Sequence, residues 1–361
     1  MSRVDDERRA TPAKRCALQQ KRGLLTALAV VVLAAAVFAA AVFSGGRGGA
    51  GGKQYSYTEL LMDTDIELQL FSRSSGKSRR VAQDLFAEMR RLELLLSSSD
   101  PDSEVSAIND AAGKEPVAVS PETAAVIGEA LTYSALSSGA FDPTIAPLLE
   151  RWGFREGDCR IPDPVELQEA RAAVDYRLVE AEAGEIFLPC SGMALDLGGI
   201  AKGYIVDRGL DLLAQSGIEH ALINAGGDVG ILGPKADGTP WRVGIKHPRS
   251  GGVIAVIPWG DRGAIVTSGD YERFFEEDGV RYHHILDPRT GRPASALLSV
   301  TVVAPTTMEA DALSTALFVL GPQRGLALVE SLPGVEAVLI TPQLELLISS
   351  GLGDLLERTG E

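Results

Sequence analysis

Cysteine is nearly absent, with three residues in 361, and none of Cys16, Cys159 and Cys190 lies in a CxxC pair or a Cys/His spacing suited to zinc. A disulfide-built scaffold and a structural zinc site are therefore excluded. Positive charge is also in short supply. Against 49 Asp and Glu there are 34 Lys and Arg, a formal net charge of −15, so nothing neutralises a phosphate backbone and non-specific nucleic-acid binding is excluded. Only local positive sites remain possible. No repeat of fixed period occurs, and neither P-loop nor dinucleotide-fingerprint spacing is present.

What is present first is one long apolar run. Gly23 to Phe43 carries no charge and is long enough to cross a bilayer of about 30 Å at about 1.5 Å per residue. Arg3, Arg8, Arg9, Lys14, Arg15, Lys21 and Arg22 precede it, whereas only Arg47 and Lys53 follow closely. The charge asymmetry places residues 1–22 in the cytoplasm, 23–43 as a transmembrane or signal-anchor helix, and 44–54 as a Gly-rich linker. Residues 55–361 are then an extracytoplasmic globular domain, and 45% hydrophobic content suffices for a large core. Ala39, Ala40 and Ala41 leave cleavage open. Cys159 and Cys190 would lie in an oxidising compartment, either paired or as two buried thiols.

The domain predicts an α+β fold with largely antiparallel mixed sheets and packed helices, preceded by the N-terminal helix. Tyr57 to Phe71 reads as a strand or hairpin pair with Met62-Asp63-Thr64 in its middle. Helices are expected over Ser78–Ser97, Ser120–Ser138, capped by Ser120 with Pro121 at the first position, and Asp163–Ala173, with a short helix or turn over Glu104–Asn109. A hairpin turns around Glu182 to Glu185. From Trp241 onward come seven short β runs, interrupted by helices over Met308–Leu320 and Pro322–Ser331.

The stretch Ala194 to Asp207, ALDLGGIAKGYIVD, holds the densest chemistry. Met193 to Leu197 alternates as a half-buried strand, Gly198 and Gly199 break it, and helical spacing begins at Ile200. Strand, glycine loop and helix start form a layout that admits a phosphate, with Lys202 adding charge and Asp196 just upstream. The same residues also describe a plain turn with a solvated lysine. His220 to Asn224 is a strand leading to a second glycine turn, Ala225-Gly226-Gly227-Asp228. Phe141 and Asp142 sit in the turn GAFDPT, where the carboxylate serves a ligand or caps the next segment. His283 and His284 alternate on a strand, so at most one faces a given site. Asp311 and Thr315, at i and i+4 on one helix, offer two oxygens to a hard cation such as Mg²⁺ or simply line an ordinary helix face.

Taken in order, GAFDPT, LDLGGIAKGY, NAGGD, TSGDYERFF, HHILDPRTG and MEADALSTALFVLG closely resemble the FAD:protein FMN transferase family, the ApbE-type flavin transferases once called thiamine biosynthesis lipoproteins. The resemblance runs from about Tyr55 to the C-terminus. It implies a Mg²⁺-dependent enzyme that splits FAD, releases AMP and attaches FMN through a phosphoester to a Thr or Ser of a partner flavoprotein. It further implies metal ligands at Asp311, Thr315 and the Gly199 carbonyl. FAD contacts would fall on Met62, Ala140, Phe141, Asp142, Asp196, Lys202, Asp228, His284 and Ile285. The acceptor hydroxyl needs a proton acceptor, for which His284 and Asp311 are both candidates. Two positions depart from the family pattern: Asp63 stands where Met-Gly-Thr is usual, and Ser99 where an aromatic residue is common. A Mg²⁺-dependent FAD hydrolase and a non-catalytic flavin carrier are the alternative readings.

Overall fold

The computed structural model describes residues 52–155 and 157–359. The apolar run 23–43, its basic leader and the linker up to residue 51 lie outside the described residues. The first described element is a hairpin, β1 (Lys53–Leu61) and β2 (Thr64–Ser72), whose two-residue turn puts Met62 and Asp63 at φ of 53° and 58°. Left-handed conformation at both turn residues matches the right-handed twist of the strands.

Helix α1 (Ser75–Leu96) follows, with Ser74 accepting from Lys77 N and Val81, Leu85, Met89, Leu92 and Leu96 buried along one stripe. Next come α2 (Glu104–Asp110), β3 (Val117–Ala118), α3 (Pro121–Leu136), α4 (Ala146–Trp152) and α5 (Pro164–Arg171). Ser120 caps α3 ahead of Pro121, and Asp163 with Glu166 forms a capping box on α5. The small hairpin β4 (Glu180–Glu182) and β5 (Glu185–Phe187) precedes α6 (Ala201–Gln215).

The chain then runs through β6 (Ala221–Ala225), β7 (Asp228–Leu232), β8 (Trp241–Lys246), β9 (Val253–Trp259), β10 (Gly263–Gly269), β11 (Phe274–Glu277) and β12 (Val280–His283). It continues with β13 (Leu286–Asp287), β14 (Arg292–Pro293), β15 (Ser299–Ala304), α7 (Thr307–Val329), β16 (Glu336–Ile340), β17 (Leu346–Ile348) and β18 (Glu357–Arg358). Inside α7, Gly321 at φ 78° ahead of Pro322 breaks the backbone, so two helical pieces form as the sequence predicts. This helix is long and apolar enough to cross a membrane, but it packs on the sheet as a core helix.

Eight strands form the central sheet in the order β1-β2-β6-β7-β10-β15-β16-β17. Every strand pairing among the described residues is antiparallel, so the sheets are not mixed as expected. One face carries α1, α6 and α7, which bury Ile66, Leu68, Leu85, Leu210, Leu313 and Leu317. The other face is covered by the sheet β18-β9-β8, through Trp241, Ile245 and Ile257 against Ile231, Ile265 and Val338. Each such fully buried side chain contributes on the order of 1.5–3 kcal/mol. Because β7 and β15 are covered on both faces, they are buried at every residue and show no alternation.

Two expectations fail here. Met193 to Leu197 alternates buried and half-buried residues but joins no strand ladder. Its backbone is satisfied instead by the Asn109 side chain, which accepts from Leu195 N at 2.6 Å and donates to Leu195 O at 3.0 Å, and by Pro143 O, which accepts from Asp196 N at 2.8 Å. The expected strand Tyr282–Leu286 is divided between β12 and β13 at His284 and Ile285. As for the thiols, Cys190 is free and exposed while Cys159 is buried, so neither a Cys159–Cys190 bridge nor a pair of buried thiols forms.

Candidate active site

The loop entering α6 is held by side chains rather than by a sheet. Asp196 accepts from Ser98 Oγ at 2.7 Å and from Gly198 N at 2.9 Å, and Arg155 lies 4.0 Å away. Arg155 also donates to the Ser98 carbonyl, which ties the polar turn after α1 to this loop. Gly199 is required by close approach and not by a positive φ: a Cβ there would stand 3.0 Å from the Phe141 ring and 3.3 Å from Thr315 Oγ1. Phe141, Gly199 and Thr315 are thus brought to one point from three separate motifs.

One turn along, charge is concentrated and buried. Lys202 Nζ donates to Asp228 Oδ2 at 2.6 Å, and the Asp228 side chain is 2% exposed. Asp311, also buried, accepts from Gly203 N at 3.0 Å through Oδ2, which satisfies an amide of the first turn of α6. That helix has no side-chain cap of its own. Burial pushes the Asp311 carboxyl up to about 8, and repulsion from Asp228 adds to this while Lys202 opposes it. Burial alone would lower the Lys202 ammonium, yet Asp228 and Asp311 hold it above its ordinary value. Asp228 therefore takes the ammonium directly, and Asp311, crowded by the same negative charge, tends to keep its proton.

His284 sits at the junction of β12 and β13, half-buried, with Nδ1 3.2 Å from Arg273 O. Burial, followed by the charge of Arg273, keeps its imidazole well below the usual range and so neutral at pH 7. A proton on Nδ1, donated to that carbonyl, leaves Nε2 as an acceptor. His283 points the other way: it is buried, with Nε2 2.8 Å from Ala294 O and its ring edge-on to Phe318. Ile285 and Ala140 share the apolar cluster beneath.

The remaining predicted residues have local work to do. Asp142 accepts from Thr144 N, Thr144 Oγ1 and Tyr176 N at 2.8, 2.6 and 3.2 Å, so it caps its own turn, and burial raises its carboxyl. Met62 is half-buried on the main core, with its N–H donated to Glu93 Oε1 at 2.7 Å. Its turn adjoins the second glycine turn, since a Cβ on Gly226 would meet Thr64 Oγ1 at 2.5 Å. Asp287, in the HHILDPRTG motif, is paired with Arg289 at 2.8 Å.

Among the described residues no group of three or more His, Cys, Asp or Glu side chains is placed to hold a metal. Asp311 with the Thr315 hydroxyl and backbone oxygen at Gly199 remains a set made of oxygens alone. Such a set suits a hard cation, and a buried carboxylate beside a second one is the environment a cation would relieve.

Four residues at the site escaped the sequence reading. Arg273 lies within the TSGDYERFF motif but faces His284 only because β11 and β12 pair. Ser98 and Arg155 meet Asp196 across the fold, and Asp207, the last residue of the central stretch, receives Thr307 N and Met308 N at 2.8 and 2.9 Å. Each has its partner far away in sequence.

The sequence matches the ApbE family over residues 62–339. It is similar to the FAD:protein FMN transferase of Treponema pallidum, 37% identical over 86% of this chain and 91% of that protein. The corresponding Klebsiella pneumoniae protein is 37% identical over 82% and 92%. Among solved structures, the ApbE protein of Thermotoga maritima is 38% identical with a TM-score of 0.78, covering 85% of this chain and all of that one. The flavin transferase ApbE of Vibrio cholerae is 33% identical with a TM-score of 0.75, over 84% and 99%. The motifs that converge on Gly199 and Lys202 lie inside the matched region, and the chain belongs to the ApbE family.

Proposed function

We propose that this protein is a FAD:protein FMN transferase that depends on Mg²⁺ and places FMN on a Thr or Ser of an acceptor flavoprotein. The observation that carries this reading is the buried cluster of Lys202, Asp228 and Asp311 against the first turn of α6. A pyrophosphate substrate brings negative charge, and its transfer requires fixed positive charge and amide donors held in line. Lys202 and the α6 start supply these. Asp311, Thr315 and Gly199 would hold Mg²⁺, which neutralises charge on the phosphoryl oxygens when bound.

In the reaction, the acceptor hydroxyl oxygen bonds to the flavin-side phosphorus, the bond from that phosphorus to the bridging oxygen breaks, and AMP leaves with that oxygen. The hydroxyl proton passes to His284 Nε2, because His284 is neutral at pH 7 whereas Asp311 is assigned to the cation. Phe141, Ile285 and Met62 form the apolar side of the FAD pocket, and Asp142 and Asp196 fix its loops. The domain would be carried outside the cytoplasm by the apolar run 23–43, in accord with the charge asymmetry around it, so the acceptor would belong to that compartment or to the membrane.

The test uses the purified chain with FAD and Mg²⁺. AMP release with flavin fluorescence retained on a denatured acceptor protein is the expected result. AMP and free FMN without labelled acceptor would indicate a hydrolase, and absence of AMP would indicate a carrier.

A further inference from the structure

Helices α6 and α7 cap each other. Asp311 of α7 serves Gly203 N of α6, and Asp207 of α6 serves two amides of α7, Thr307 N through Oδ1 at 2.8 Å and Met308 N through Oδ2 at 2.9 Å. Two glycines permit the crossing: a Cβ on Gly203 would stand 2.6 Å from Met308 Cα, and one on Gly230 would stand 3.0 Å from Thr307 Oγ1. The ordinary cap of α7 is also present, since Thr306 Oγ1 accepts from Glu309 N at 3.2 Å.

Capping one amide does not call for a carboxylate, since a neutral Ser, Thr or Asn oxygen accepts from it; Asp207 instead sets one oxygen against each of two amides, which a neutral Asn cannot do. Burial works against its ionised form. What a charge adds is electrostatic. The start of a helix carries about half a positive charge, and Asp311 lies four residues past Thr307, about 6 Å along the axis. A divalent cation held by Asp311 and Thr315 is therefore opposed by the helix that presents its ligands. Arg262, a cation that acts on Asp207, is itself paired with Asp211 at 2.5 Å.

We propose that Asp207 is a positioning residue for the metal site: its carboxylate, laid on the first amides of α7, fixes that helix end and offsets its positive field so that Asp311 and Thr315 can take a divalent cation. This rests on the reading of Asp311 and Thr315 as Mg²⁺ ligands.

The experiment titrates the full chain with Mg²⁺, reading unfolding temperature without substrate and AMP release with FAD, for wild type, Asp207→Asn and Thr306→Ala. Asp207→Asn should raise the Mg²⁺ concentration at both midpoints, on the order of fivefold to tenfold, and recover nearly wild-type turnover at saturating Mg²⁺. Thr306→Ala, which loses a cap but no charge, should unfold at lower temperature with unmoved Mg²⁺ midpoints. Unchanged midpoints in Asp207→Asn, or equal shifts in both variants, overturn the proposal. If Asp207→Asn does not fold, Glu309→Gln decides: it removes one charge from the same turn, and its carboxylate makes no hydrogen bond among the described residues. An unmoved midpoint there overturns the electrostatic role. Wild-type protein with neither a Mg²⁺-dependent unfolding shift nor Mg²⁺-dependent AMP release would remove the metal reading itself, and this proposal with it.

Discussion

Asp142, Asp196 and Asp287 differ from Asp228 and Asp311 in how their charge is met, although all five lie in the motifs that the sequence singles out. The first three accept hydrogen bonds from their own turns, joined by Tyr176 N at Asp142, by Ser98 Oγ at Asp196 and by the Arg289 guanidinium at Asp287, so the charge of each is met by donors. Asp228 and Asp311 are more deeply buried and share a single lysine. A carboxylate satisfied by hydrogen-bond donors shapes a loop, whereas a second carboxyl crowded against Asp228 and one ammonium keeps its proton until further positive charge arrives. On the proposed reading the difference would separate residues that build the pocket from residues that act on what enters it, and it can be tested group by group.

The largest effect is expected at Asp311. Asp311→Ala should abolish Mg²⁺-dependent AMP release from FAD, and Asp311→Asn, which keeps an oxygen but loses the charge, should behave the same way. Thr315→Ala, which removes a neutral ligand, should only raise the Mg²⁺ concentration required. Wild-type turnover in Asp311→Ala would place the two groups of carboxylates on an equal footing and end the comparison.

Lys202 comes next, and here the structure corrects the sequence. A loop lysine suggests charge without packing, so that its loss would spare the fold. Instead it is the partner of a nearly inaccessible Asp228. Removing one member of a buried pair costs about 3–5 kcal/mol; with the ammonium about a quarter exposed, about 2–3 kcal/mol is expected for Lys202→Ala. Denaturant unfolding should show that loss, and calorimetry should show weakened FAD binding at a temperature where the variant remains folded. Unchanged stability would mean that Asp228 finds water.

The same cluster sets a pH dependence. The Asp311 carboxyl, near 3.9 when unfolded, is raised to about 8 in the fold. Between those values the folded state binds more protons than the unfolded one, so stability falls as pH rises. Stability from this group is complete below about pH 4 and is lost as pH climbs through about 8. Metal-free wild type should therefore lose unfolding temperature relative to Asp311→Asn between about pH 5 and 8, and saturating Mg²⁺ should flatten the difference. Parallel pH curves for the two proteins would show that Asp311 is ionised in the fold without a cation.

Much of this was legible in the sequence where neighbours along the chain decide the outcome. The cap at Ser120, the helix beginning after Asp163, the break at Gly321-Pro322, and the limits of β8, β9 and β15 follow from local chemistry. Alternation misled at Met193–Leu197, because period two reports burial and not hydrogen bonding, and a single Asn109 amide replaces the ladder. β7 went unread since burial on both faces removes the alternation that would mark Asp228–Leu232 as a strand. At the site, the ordered motifs supplied candidate residues, but which carboxylate is met by hydrogen-bond donors and which is crowded against a second carboxyl depends on partners such as Thr144, Ser98 and Lys202, whose positions only the fold supplies.

The smallest effect is expected at Asp63, one of the two departures from the family pattern. Where the family usually has glycine, Asp63 holds φ of 58° in a two-residue turn beside Met62 at 53°. Aspartate is among the few side chains that enter this region at low cost, so the hairpin keeps the shape a glycine would give it, and the register Leu61 with Thr64 closes normally. Asp63→Gly relieves the residual strain but frees the unfolded chain, two opposing changes of about 0.4–1 kcal/mol each. The net shift in stability should be within a few tenths of a kcal/mol, and FAD affinity should stay within about twofold, a difference of about 0.4 kcal/mol. Calorimetry and thermal unfolding on the two proteins would measure both. A large gain in FAD affinity on Asp63→Gly would show that the carboxylate, not the backbone of this turn, acts on the flavin, and would move Asp63 from the residues that build the pocket to those that act on what enters it.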